Sequence, residues 1–156
     1  IPIGYLRASM GWDNVDMSQG VETTSLCIEG RHGDIPLRVY TPSGPEKNRG
    51  CMMFIHGGGF QTNYSFAPQF DGELMAAQGI VVVTINYRLG LFGFLAHPDL
   101  RDESPHGLAG NYGLQDQILA LRWVRENIAS FGGNPEQITI SGGSAGAAYS
   151  CCLHVH

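Results

Sequence analysis

Nowhere in the chain does an apolar run approach the ~18 residues that a membrane span requires. The strongest, Ile80 to Ile85, has the length of a strand, so no transmembrane segment is expected. Basic residues are scarce as well. Nine Lys and Arg against fourteen Asp and Glu leave a net charge of −5 over 156 residues. A nucleic-acid partner, which needs a basic patch against phosphate, is therefore not expected. The four cysteines, Cys27, Cys51 and the adjacent Cys151 and Cys152, show no C-x-x-C spacing and stand beside no histidine pair. A zinc site is not expected from them; buried free thiols are. The chain opens Ile1-Pro2-Ile3, with neither an initiator methionine nor a signal peptide, so either a leading segment has been removed or the N-terminus is a cut end.

What is present is ordinary for a soluble, well-buried α/β protein: 43% hydrophobic and 15% charged residues. Its 22 glycines cluster between apolar runs without a period, which excludes collagen-like and low-complexity architectures. Residues 21–29 and 34–41 are β-rich runs separated by Gly30 and Gly33, an expected antiparallel pair. Residues 51–55 (Cys-Met-Met-Phe-Ile) form a continuous apolar run, as a buried strand does. Residues 67–78 place Phe70, Leu74 and Ala77 on one helical face, and 80–85 give a second buried strand. A long Gly- and Pro-containing loop is expected over 88–113, followed by the clearest helix, 114–131, ended by Gly132-Gly133. Residues 137–141 form the last strand. This alternation implies a mostly parallel sheet with right-handed crossovers and helices on both faces. No linker marks a second domain.

Two glycine motifs carry the chemistry. Gly142-Gly143-Ser144-Ala145-Gly146 follows an apolar strand and precedes a run of small residues. That is the strand–turn–helix setting of a nucleophile elbow, where a sharp turn lifts a serine hydroxyl above the sheet. By composition alone about 0.2 such G-x-S-x-G matches are expected, so the strand–turn–helix context is what gives the match weight. Upstream, Phe54-Ile55-His56-Gly57-Gly58-Gly59-Phe60 has the form of an oxyanion-hole loop, because side-chain-free amides can approach a reacting oxygen closely. A phosphate loop is excluded because no G-K-[ST] follows, and a dinucleotide loop because Thr62 stands at the third glycine position. Together the two motifs point to a serine hydrolase of the α/β-hydrolase fold. In that fold the triad acid and histidine follow the serine in chain order. After Ser144 there is no Asp or Glu. The chain accordingly reads as residues 1–156 of the N-terminal portion of a single α/β-hydrolase domain, truncated after the elbow.

Several further motifs sharpen this reading. Phe131-Gly132-Gly133, four residues, then Ile138-Thr139-Ile140-Ser141-Gly142-Gly143-Ser144-Ala145-Gly146 resembles the serine signature of the type-B carboxylesterase/lipase family, which includes cholinesterases. Asn86-Tyr87-Arg88-Leu89-Gly90 with Gly93-Phe94-Leu95, and Gly110 to Gln117 leading into Ala120 to Val124, resemble that family too. The resemblance implies Ser144 as nucleophile and the amides of Gly58, Gly59 and Ala145 as oxyanion hole. It implies a carboxylic-ester hydrolase that works through an acyl-enzyme on a small-molecule ester, with no cofactor and no metal. Two departures stand out. Gly143 occupies the position where the family usually has a glutamate, and Ser25-Leu26-Cys27-Ile28 lacks the acids of the family's E-D-C-L motif. Residues 33–42 look more like hormone-sensitive-lipase-like esterases. These departures bear on subfamily and substrate, not on reaction class. The alternatives are a non-catalytic adhesion or binding protein on the same fold, and an amidase or peptidase.

None of the six histidines fits the base position. His56 is expected to order the glycine loop; His32, His97 and His106 are expected in solvent. His154, on a presumed helix, lies roughly 15 Å past the serine, and His156 lies farther. Asp116 and Arg88 are expected to be structural ion-pair members. Asn63-Tyr64-Ser65 is a glycosylation sequon, meaningful only in a secreted protein. Without a base, residues 1–156 alone are expected to show no esterase turnover, and the uncovered sheet edge to make them poorly soluble.

Overall fold

In a computed structural model of the chain, residues 20–30, 33–104, 107 and 109–153 are described. The run of β-branched residues after Ile80 forms the middle of a five-stranded sheet. Its strands are β1 (Val21–Ile28), β2 (Ile35–Pro42), β3 (Arg49–Ile55), β4 (Val81–Ile85) and β5 (Gly133–Gly142), in the order β1-β2-β4-β3-β5. β3 runs parallel to β4 and β5, while β2 is antiparallel to β1 and β4. All five residues of β4 are buried. With both of its faces covered, it reads as an unbroken apolar run instead of an alternation.

The helices are α1 (Glu73–Ala76), α2 (Gly90–Phe94), α3 (Pro98–Asp102), α4 (Tyr112–Asn127) and α5 (Ala145–Leu153). On one face Leu37, Val39, Met53, Ile55, Val81, Val83 and Ile85 form a core with Ala120 and Val124 of α4 and with Tyr149 and Leu153 of α5. On the other, Tyr40 and Val82 pack with Ala76 of α1. Successive residues of β4 thus join opposite cores, so helices cover both faces as expected.

Local chemistry explains where the elements depart from the sequence pattern. The helix expected over 67–78 is split into a 3₁₀ turn, Pro68–Phe70, and the single turn of α1. Asp71 is extended between them, and its Oδ1 accepts the Glu73 N–H at 3.1 Å. That local side-chain bond offers the backbone an alternative to helix. The loop expected over 88–113 contains α2 and α3. α4 starts two residues early and tightens into 3₁₀ geometry at Ile128–Phe131, where Gly132 at φ 78° ends it. β5 starts at Gly133 instead of 137 and tolerates Pro135 because β3 is its one partner strand among the described residues. The expectation of buried thiols needs correction. Cys51 is buried in the core, but Cys27, on the outermost described strand, and Cys151 and Cys152, on α5, are exposed.

Arg88 and Asp116 form the expected ion pair, which fastens the end of β4 to α4. Asp116 Oδ2 accepts the Arg88 backbone N–H at 2.9 Å and its Nε–H at 2.8 Å; Oδ1 accepts Nη2 at 2.6 Å. The carboxylate raises the guanidinium pKa further, mainly through these hydrogen bonds. Asp116 is buried, so its removal would leave three donors without their acceptor. Asp116→Ala is expected to lower stability by about 2 kcal/mol in denaturant unfolding, less than breaking a fully buried pair because the Arg88 side chain keeps 28% of its exposure to water.

Candidate active site

β5 ends at Gly142 and α5 begins at Ala145, so the chain reverses within Gly143 and Ser144. Ser144 adopts φ 55°, left-handed backbone that a side-chain-bearing residue occupies only when its surroundings impose it. The close packing of the turn is the imposing factor. A Cβ at Gly146 would lie 2.0 Å from the Ile55 carbonyl oxygen, and one at Gly142 would lie 2.5 Å from the Gly146 carbonyl carbon. Gly143 differs, since a Cβ there would meet nothing within 4 Å. Its lack of a side chain is therefore not a steric requirement of the turn. Ser144 itself is exposed.

The glycine loop lies directly against this turn. A Cβ on Gly57 would stand 2.7 Å from the Gly143 carbonyl oxygen and 3.1 Å from Ser144 Cβ. Two motifs 80-odd residues apart in sequence are thereby brought into backbone contact. Gly58 and Gly59 both have positive φ, 128° and 60°. The Gly58 carbonyl accepts the Gln61 and Thr62 N–H groups at 3.1 Å and Thr62 Oγ1–H at 3.3 Å. The Ser144 carbonyl accepts the Ala147 and Ala148 N–H groups at 3.0 and 3.2 Å. Across a planar trans peptide the N–H points opposite to the preceding carbonyl. These bonds therefore set the directions of the Gly59 and Ala145 N–H groups. Among the described residues, the Gly58, Gly59 and Ala145 N–H groups have no acceptor.

His56 is fully buried. Its Nδ1 lies 2.8 Å from the Gly57 carbonyl oxygen, and since a carbonyl only accepts, Nδ1 carries the proton. Its ring stacks on Tyr87 at 4.6 Å, and the Tyr87 hydroxyl donates to the His56 carbonyl at 2.8 Å. Burial lowers the His56 pKa, against a smaller opposing effect of the Gly57 hydrogen bond. His56 thus orders the loop as expected. His97 is exposed at the start of α3, where Nδ1 accepts the Asp99 N–H at 3.3 Å. His32, His106, His154 and His156 lie outside the described residues. No described side chain hydrogen-bonds the Ser144 hydroxyl. No three described His, Cys, Asp or Glu side chains converge as metal ligands, and no described helix is long and apolar enough to cross a membrane. In the sequon, Ser65 is buried and its N–H is bonded to Asn86 Oδ1.

Beside the loop opens a groove of about 840 Å³ lined by Gly59, Phe60, Leu91, Phe94, Asn111 and Tyr149 among others. Tyr149 of α5 stands at the centre of an aromatic cluster, edge-on to Phe60 at 5.0 Å and to Tyr87 at 5.6 Å. Sequence reasoning singled out neither tyrosine. Tyr87 did carry one usable signal, its place just past the C-terminal end of a buried parallel strand, where α/β sheets build their sites.

Two outcomes follow from this geometry. Gly143→Ala is expected to leave the thermal midpoint nearly unchanged, whereas Gly146→Ala, which collides with the end of β3, is expected to prevent folding or lower the midpoint severely. Circular dichroism melts of both variants check this. Because burial holds the His56 pKa below its ordinary 6.5, the unfolded chain takes up a proton there more readily than the folded one. The stability this contributes is complete above about pH 6.5 and declines as pH falls toward the folded-state pKa. Between pH 7.5 and 5, His56→Asn is expected to lose less stability than the parent in urea titrations.

Residues 29–156 match the carboxylesterase family. The cholinesterase of Mus musculus is 51% identical over 153 residues, which cover 95% of this chain and 24% of that protein. A fumonisin B1 esterase from Sphingopyxis macrogoltabida is 52% identical over 113 residues, 72% of this chain and 21% of that protein. Among solved structures, a thermophilic PNB esterase superposes with a TM-score of 0.70 at 44% identity, covering 76% of this chain and 24% of that one. The carboxylesterase EST55 of Geobacillus stearothermophilus superposes with a TM-score of 0.67 at 47% identity, covering 74% of this chain and 25% of that one. The chain thus spans about a quarter or less of the length of these relatives, and it carries their α/β-hydrolase fold. With the strand–turn–helix serine and the glycine loop in contact, and with this match over most of its length, the chain belongs to the carboxylesterase family.

Proposed function

We propose that this chain supplies the nucleophile and the oxyanion hole of a carboxylic-ester hydrolase. It would form the N-terminal portion of a single α/β-hydrolase domain, whose triad acid and histidine come from residues beyond 156. The observation that carries this reading is the contact of Gly57 with Ser144, which brings the glycine loop against the serine turn, with the Gly58 and Gly59 N–H groups lacking an acceptor among the described residues. Ser144 attacks the ester carbonyl while a histidine takes its proton, and the acid orients that histidine. The Gly58, Gly59 and Ala145 N–H groups bind the negative charge that develops on the carbonyl oxygen. The positive end of the nine-residue α5 adds to that attraction. The collapse of the tetrahedral intermediate expels the alcohol, and water then releases the acid from the acyl-enzyme. The groove beginning at Gly59, faced by Phe60, Leu91, Phe94 and Tyr149, suits an apolar part of a small-molecule ester.

In the full-length enzyme, Ser144→Ala is expected to cut ester turnover by about 10⁴-fold or more, with the fold retained, because it removes one exposed hydroxyl. A fluorophosphonate probe is expected to label the parent at Ser144 and to leave the Ala variant unlabelled. Turnover that survives the substitution would move the nucleophile elsewhere. An unlabelled parent would favour a binding protein on this fold.

A further inference from the structure

Three consecutive glycines make a loop with unusual backbone freedom, and a loop that must present an amide in one direction needs that freedom removed. Neighbouring side chains do this here. The Gly57 peptide carbonyl is held by His56 Nδ1–H at 2.8 Å. The peptide is trans, so holding that oxygen sets the opposite direction for the Gly58 N–H. The His56 carbonyl is held in turn by the Tyr87 hydroxyl at 2.8 Å, which sets the Gly57 N–H in the same way. The Tyr87 ring also supports the His56 ring by stacking, and it meets Tyr149 of α5 edge-on. Tyr87 therefore touches both the glycine loop and the helix that follows Ser144. Its burial pushes the phenol up to about 12, so it remains a donor at neutral pH.

We propose that His56 and Tyr87 are positioning residues that form a clamp on the glycine loop, aiming the Gly58 N–H as an oxyanion donor. The clamp rests on the ester-hydrolase reading for its catalytic consequence, and on the geometry alone for its effect on the loop. Neither side chain touches the substrate. The third amide direction, that of Gly59, is set independently by the turn through Thr62.

The test uses the full-length protein and three variants. Tyr87→Phe keeps the stacked ring and removes only the hydroxyl. His56→Leu removes the donor to Gly57, and His56→Asn retains an N–H in a similar place. Ester kinetics, affinity for a trifluoromethyl ketone (which forms a bound oxyanion) and hydrogen exchange of residues 56–62 are measured together. Tyr87→Phe is expected to lower kcat about tenfold and His56→Leu about 100-fold, with KM changed less than about twofold, the pattern of a weakened oxyanion donor. Ketone affinity is expected to fall in parallel with kcat/KM, and His56→Asn to recover most of the loss. Amide exchange at Gly57 to Gly59 is expected to accelerate in Tyr87→Phe and His56→Leu. A merely structural role would lower the thermal midpoint without this parallel between kcat and ketone affinity. Unchanged kcat, ketone affinity and exchange in Tyr87→Phe would overturn the clamp, and that variant decides alone should His56→Leu fail to fold. Should the parent show no Ser144-dependent turnover, the hydrolase reading falls, while loop exchange still decides the clamp.

Discussion

The backbone of the serine turn packs directly against the end of β3, and most of the site depends on that approach. Gly146 packs against the Ile55 carbonyl, Gly142 packs against Gly146, and Gly57 packs against the Gly143 carbonyl. Each contact is closer than a side chain at that glycine would permit. β3 and β5 lie parallel and adjacent, so both end at the same edge, and the two loops that follow them must meet there. Ser144 keeps its left-handed conformation within this close packing.

The rigidity of the site has two sources. Below the turn lies an apolar core in which the central strand is wholly buried, and a close-packed interior transmits position with little slack. Above it, peptide planes are turned and held through their carbonyls. Gly57, Gly58 and Ser144 each have the carbonyl bonded, and the next N–H has no acceptor among the described residues. Donors left free in this way are what the proposed oxyanion hole would require. The partly buried ion pair of Arg88 and Asp116 lies outside this arrangement and serves the fold, fixing the segment after β4 on which Tyr87 sits.

Much of this was legible in the sequence because its signals are local. Continuous apolar runs mark β3 and β4, since strands covered on both faces need no polar residues. A serine in the G-x-S-x-G spacing after a strand marks the turn, because only residues without a side chain fit at Gly142 and Gly146. The boundaries were less legible. Asp71 competes for a backbone N–H and splits a pattern that has helical spacing, and such local competition does not show in periodicity. Thiol burial was misread because exposure depends on which strand and which helix face is covered, and that is a property of the assembled sheet.

The sequence by itself determined the family, the alternation of strands and helices, and the two glycine motifs, because each is written in neighbouring residues. Only the tertiary structure decided that Gly57 touches Ser144 and that His56 turns the Gly57 carbonyl. It alone decided that Tyr87 joins the loop to α5 through His56 and Tyr149. These are contacts between residues tens of positions apart. They come into being when the strands take their order in the sheet, and no local pattern encodes that order.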